Sequence, residues 1–95
     1  VVLVLRDDAY GMIRWKQAHM DLPDFGLQLG NPDFVKYAES YGARGHRADS
    51  VESLEGLLAN ALDTPGVDLI DCPIDYSDSK RVLFEEIPAA SAGLE

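Results

Sequence analysis

Residues 1–5, Val-Val-Leu-Val-Leu, form an unbroken aliphatic run. A strand with one wet face would alternate apolar and polar positions, so the run predicts a strand covered on both faces. It stops at Arg6-Asp7-Asp8. Residues 11–20 then read as a helix with Ile13, Gln17 and Met20 along one face, and Pro23, Gly26, Gly30 and Pro32 mark a polar, mobile loop. Asn31-Pro32-Asp33 has the residue types of a helix start: Asn as cap, Pro where its missing N–H costs nothing, and an acid beside the positive end of the helix dipole. Phe34, Ala38 and Tyr41 repeat at helical spacing, and Gly42 is the left-handed residue expected just past the helix end.

Residues 43–48 are a short strand candidate. Ser50 caps the next helix, whose Val51, Leu54, Leu57, Leu58, Ala61 and Leu62 make the clearest amphipathic stripe; Thr64-Pro65-Gly66 ends it. Residues 67–74 are a second apolar strand, interrupted by Asp68 and Asp71, and Ser77 or Asp78 caps a last helical turn through Leu83. Strand, two helices, strand, helix, strand, helix is the order of an α/β fold, a parallel sheet with helices on both faces. Ligands of such sheets sit outside the carboxyl ends of the strands, which directs attention to residues 6–11 and 73–78.

Composition then narrows the function classes. With 95 residues, 46% hydrophobic and 26% charged, one modest core is possible and two domains are not. The expected organisation is a domain portion over residues 1–87 and a flexible tail over 88–95. Eight Lys and Arg against 17 Asp and Glu give a net charge of -9, which opposes binding to nucleic acid or to an anionic membrane. A local anionic ligand would need a metal ion or helix-end amides to offset the carboxylates. Cys72 stands alone, which excludes an internal disulfide framework and a cysteine metal cage and fits a cytoplasmic setting. No stretch approaches the roughly 20 apolar residues of a membrane span. No basic segment with a small-residue cleavage site opens the chain. A start without Met, inside a strand pattern, leads to the expectation that the native protein continues upstream. Residues 89–93 are expected to fray, and Leu94-Glu95 to be a cloning remnant.

The chemistry concentrates at the end of the first strand. Asp7 and Asp8 leave it just before a helix whose free amides point back at them, a geometry that can hold a hard divalent cation between a carboxylate and a phosphate resting on the helix end. Two adjacent side chains in a tight turn do not easily face one metal, so one carboxylate plus a backbone carbonyl two residues on is the better arrangement. Spacing alone leaves a second reading open, with the aspartates as turn formers or caps.

Four blocks in order resemble one family. Leu5-Arg6-Asp7-Asp8-Ala9-Tyr10-Gly11-Met12-Ile13 resembles the second half of the thiamine diphosphate signature, in which a Gly-Asp-Gly is followed downstream by an Asn-Asn or Asn-Asp pair. Asp24-Phe25-Gly26, the stretch from Asp33-Phe34-Val35-Lys36-Tyr37 to Gly42-Ala43-Arg44-Gly45, and Pro73-Ile74-Asp75-Tyr76-Ser77-Asp78 are similar to acetolactate synthases, the catabolic, FAD-independent type most of all. The match covers residues 1–84. The resemblance implies that this is the C-terminal portion of a thiamine diphosphate-binding domain. Asp7 would then be a Mg²⁺ ligand and Ala9 would give its main-chain carbonyl, with Asp7, Ala9, Tyr10, Gly11 and Met12 against the cofactor. The Asp of Gly-Asp-Gly, and the Glu that activates the cofactor across a subunit interface, would lie before Val1. The parent enzyme, a homodimer or homotetramer, would condense two pyruvates to 2-acetolactate with loss of CO₂, in the branched-chain amino acid or acetoin pathway. The 95 residues alone would be inactive.

Two positions depart from the family pattern. Arg6 stands where many relatives have Asn, and Lys16 stands where similar synthases carry Gln or Trp, at a position facing the substrate channel. A cation there could attract a second carboxylate substrate. Trp15 and Met12 also fit a core or interface, His19 and His46 have no partner at telling spacing and read as surface residues, and Cys72 reads as a small buried hydrophobe. Two other readings remain: another thiamine diphosphate carboligase or decarboxylase, acting for example on glyoxylate or a sulfonated aldehyde, and a non-catalytic α/β binding module.

Overall fold

The computed structural model describes residues 1–93. In chain order the elements are β1 (Val2–Arg6), α1 (Gly11–His19), α2 (Phe34–Ser40), β2 (Arg44–Arg47), α3 (Val51–Asp63), β3 (Asp68–Pro73), α4 (Ser79–Arg81) and α5 (Ile87–Ser91), the last two joined by a wider helical turn, Val82–Glu86. Local chemistry sets the best-defined ends. Ser50 accepts from the Ser53 N–H at 3.0 Å while the Ser53 hydroxyl accepts from the Ser50 N–H, a reciprocal cap that fixes the start of α3. At the end of α2, Gly42 takes φ +77, its N–H donates to the Glu39 carbonyl and the Ala43 N–H reaches back to the Ala38 carbonyl. These two bonds satisfy carbonyls that the helix would otherwise leave open.

The three strands form one parallel sheet in the order β1-β3-β2. The chain crosses from β1 past β3 to β2 and then returns through α3 to β3. Right-handed connections running in opposite directions put their helices on opposite faces. Residues 68–71 of β3 are buried on both faces, as that arrangement requires. Gly45 of β2 lies so near α2 that a Cβ there would overlap the Val35 backbone.

Each face of the sheet carries a buried aspartate on β3. Asp71 accepts from Arg6 Nε at 2.8 Å and from Arg47 Nε at 3.2 Å. On the other face Asp68 accepts from Arg44 Nε at 2.8 Å and Nη2 at 2.6 Å and lies 2.8 Å from His46 Nε2. The Arg44 guanidinium, and then His46, hold the Asp68 carboxyl down at about 2. The two acids that interrupt the apolar pattern of the strand are thus the anchors of two cross-strand ion clusters. His46 belongs to one of them and is no free surface histidine.

Other expectations shift for identifiable reasons. β1 is a strand but an edge strand with Val2, Leu3 and Leu5 exposed, because among the described residues only β3 pairs with it. On α1 the covered residues are Arg14, Trp15 and Gln17; Ile13 and Met20 face outward. Asp33, and not Asn31, caps α2, accepting from Val35 N at 3.0 Å and Lys36 N at 3.2 Å; those amides hold its carboxyl below the usual range. Asn31 is drawn to Asp8 instead. Val51 and Leu62, at the ends of the α3 stripe, are exposed, while Leu54, Leu57, Leu58 and Ala61 are covered. Cys72 is half-buried. The last helix runs well past Leu83, and residues 88–91, which fall in the segment expected to be a flexible tail, are helical. Leu94-Glu95 lies outside the described residues. Among the described residues no helix is long and apolar enough to cross a membrane.

Candidate functional site

β1 and β3 end side by side, with Arg6 opposite Pro73 and the Ile74 N–H donating to the Arg6 carbonyl at 3.0 Å. The two segments singled out in the sequence therefore leave the sheet together. Between them lie two adjacent clefts, of about 420 and 310 Å³, that share Asp7, Gly11, Met12 and Tyr76. The larger continues along α1 to Trp15, under Ile74 and Asp75; the smaller is closed by Ala9, Asn31 and Phe34.

The turn from β1 into α1 is made by Asp8, a non-glycine residue at φ +54, a conformation Asp tolerates better than most residues. Its carbonyl accepts from the Leu29 N–H at 2.9 Å, and the Tyr10 N–H donates to the Leu27 carbonyl at 3.0 Å. Buried Leu27 anchors this contact, so the loop expected to be polar and mobile is pinned to the turn. Ala9 pairs with Gln28 between those two bonds, which makes it the member whose own N–H and C=O point away from the partner. The Ala9 carbonyl accepts no hydrogen bond from any described residue. Nor do the Gly11, Met12 and Ile13 amides find an acceptor among the described residues, and α1 has no side-chain cap and no acid in its first turn.

The two aspartates are sorted to opposite sides. Asp8 accepts from Asn31 Nδ2 at 2.8 Å and pairs with the Arg6 guanidinium; the Asn31 amide first, then Arg6, keep its carboxyl below the ordinary range. Asp7 has no hydrogen-bond or ion-pair partner among the described residues. Its carboxylate lies over the first turn of α1, so close that a Cβ at Gly11 would overlap it. Across the larger cleft Asp75 accepts from the Ser77 N–H at 2.9 Å and its hydroxyl at 3.0 Å, which lowers its carboxyl too.

Of the other residues marked in the sequence, Met12 lines both clefts with an exposed side chain, whereas the Tyr10 side chain and Lys16, both exposed, line neither. Trp15 stacks on Phe84 at 4.1 Å, and His19 stacks on the same ring at 3.9 Å, fastening the C-terminal helical run across α1. Neither Tyr76 nor Asn31, read only as a helix cap, is marked as a site residue by the sequence. Tyr76 stood inside the segment marked by the strand-end rule, but the pairing of Asn31 with Asp8 spans 23 positions and leaves no local signal.

A hard cation carried on a diphosphate fits this arrangement. It meets an unpaired carboxylate, an unpaired main-chain carbonyl and open helix amides, and the phosphates would occupy coordination positions that protein does not fill. Among the described residues no three or more His, Cys, Asp or Glu side chains gather as a metal cage. A bare ion is therefore a poorer fit than one brought in with phosphate oxygens.

Comparison with known proteins points the same way. Residues 1–72 match the family described as thiamine pyrophosphate enzyme, C-terminal TPP binding domain. The chain is 35% identical over 88 residues, 93% of its length, to an acetolactate synthase of Bacillus subtilis (strain 168). It is 34% identical over 77 residues, 81% of its length, to a catabolic acetolactate synthase of Raoultella terrigena. Over 71 residues, 75% of its length, it is 32% identical to a protein of Pseudomonas aeruginosa named probable 2-ketoarginine decarboxylase. It spans only 15%, 14% and 13% of these three relatives. With 72 of its 95 residues under the family profile and its strand ends converging on the Asp7 turn, the chain belongs to the thiamine pyrophosphate enzymes, as part of their C-terminal TPP-binding domain.

Proposed function

We propose that the chain supplies one half of the Mg²⁺-diphosphate site of an acetolactate synthase of the catabolic type, which condenses two pyruvates to 2-acetolactate with release of CO₂. The observation that carries this reading is that Asp7 and Ala9 line one cleft at the open amino end of α1, with neither the Asp7 carboxylate nor the Ala9 carbonyl partnered among the described residues. Asp7 and the Ala9 carbonyl hold the cation, and the Gly11 and Met12 amides receive the diphosphate, so that the negative charge is met from two sides. Thiamine diphosphate, when bound, supplies the carbanion and the electron sink. Gly11 gives the Asp7 carboxylate its place; Met12 puts an exposed apolar side chain on the wall of both clefts. Lys16, one turn beyond Met12 and exposed, offers a cation to the carboxylate of the second pyruvate. The other acidic metal ligand and the Glu that activates the cofactor come from the rest of a cytoplasmic homodimer or homotetramer, and the 95 residues alone form no acetolactate.

The similarity to the Pseudomonas protein favours one second reading, a 2-keto acid decarboxylase. The full-length protein, given pyruvate, thiamine diphosphate and Mg²⁺, separates the two. Acetolactate, read as acetoin after acid treatment, with one CO₂ per two pyruvates consumed is the expected result. Release of CO₂ with a free aldehyde and no acetolactate would establish the decarboxylase instead.

A further inference from the structure

We infer that Arg6, Asp8 and Asn31 form a positioning device that turns Asp8 away from the cleft and leaves Asp7 as its metal-facing carboxylate. The inference rests on the reading of Asp7 and Ala9 as the cation's protein ligands and adds three residues that act through them. Without such a device two neighbouring carboxylates would compete for the cation. Here they diverge, because Asp8 is held at three points. Its backbone is in the left-handed region, and its carbonyl accepts from Leu29. Its carboxylate accepts from Asn31 at 2.8 Å and pairs with Arg6.

Arg6 can do this because it is itself fixed. Its Nε donates to both oxygens of Asp71, at 2.8 and 3.1 Å, and that side chain is 1% exposed and also engaged by Arg47. The chain of contacts runs from the buried strand β3 through Arg6 to Asp8. The turn it fixes places Asp7 and Ala9 together on the wall of the smaller cleft. Arg at position 6 thus has a defined task in this chain, since an Nε–H shared between the two Asp71 oxygens with an Nη left for Asp8 belongs to a guanidinium and not to an amide.

The test is cofactor binding by the full-length protein, read as quenching of tryptophan fluorescence by thiamine diphosphate across a Mg²⁺ titration, with unfolding temperature measured alongside. Partners that orient a ligand from outside its coordination sphere cost about 10- to 100-fold in metal affinity when removed. Arg6→Gln, Asp8→Asn and Asn31→Ala should each raise the Mg²⁺ concentration for half-maximal binding by about tenfold, with full binding restored at high Mg²⁺. Arg6→Gln and Asp8→Asn together should do little more than either alone, because both break one contact. Asn31→Ala, an exposed loop change, keeps the test alive if Arg6→Gln fails to fold. Wild-type Mg²⁺ dependence in all three would overturn the inference while leaving Asp7 in its role. Loss of binding in Asp8→Asn as deep as in Asp7→Ala would overturn it as well, by making Asp8 a ligand. If Asp7→Ala binds like wild type, the site reading itself fails.

Discussion

At the scale of single residues, the sharpest constraint is at Gly11. Alanine is the better helix former by about 1 kcal/mol, so Gly11→Ala would strengthen α1 if local propensity decided. The added methyl falls on the Asp7 carboxylate, so the variant should keep its helix content while losing affinity for thiamine diphosphate and Mg²⁺ by about tenfold or more, the scale of a disturbed ligand. Circular dichroism beside a cofactor titration checks both halves, and unchanged affinity would mean that Asp7 is not held where it must be. Asp68 makes a different prediction. Its carboxyl titrates near 2 in the fold against 3.8 ordinarily, so the folded state binds its proton less readily than the unfolded chain does. The stability this confers is fully present above pH 3.8 and is lost as pH falls through about 2. Acid unfolding of Asp68→Asn should lack that part of the pH dependence, and the variant should be less stable than wild type at neutral pH. The chemistry of Asp7 could be read from its neighbours in sequence. That of Asp68 and Asp71 could not, because their arginines lie 24 and 65 positions away and only the folded sheet brings them together.

Elements were legible where a cap and a period agreed. Ser50 with the Leu54, Leu57, Leu58 and Ala61 repeat located α3, and Gly42 marked the end of α2. The start of α2 was misread by two residues because Asn31, Pro32 and Asp33 all suit a helix start, and the choice fell to a tertiary contact: Asn31 is taken by Asp8, leaving Asp33 to cap. Gly45 gave no sequence signal at all, since its need for a bare Cα comes from the approach of α2. Gly45→Ala would drive a methyl into the Val35 backbone, and overpacking of that kind costs about 1–3 kcal/mol. A lower urea midpoint with an unchanged slope is the expected result; an unchanged midpoint would show that α2 can ride up on the sheet without cost.

For the whole molecule, the sequence conveyed strand and helix order well and burial poorly. A continuous aliphatic run says that a strand is made to be covered, and it does not say by what. Among the described residues six apolar side chains are buried, and the radius of gyration is 17.3 Å where a compact chain of roughly 100 residues has about 13 Å. Among the described residues nothing pairs with the outer edge of β1, and Val1, Val2, Leu3 and Leu5 are in contact with solvent. The 95-residue chain should therefore self-associate, with a sedimentation coefficient that rises with concentration; a strict monomer over a hundredfold range would contradict this. The account's central claim is that Asp7 joins a cation to thiamine diphosphate at the carboxyl end of β1. The most direct measurement is the binding isotherm of thiamine diphosphate to the full-length protein and its Asp7→Ala variant at several Mg²⁺ concentrations. Wild type should bind only with Mg²⁺, and Asp7→Ala should bind far more weakly and recover in part with excess metal. Binding that ignores Mg²⁺, or that survives Asp7→Ala undiminished, would contradict the claim.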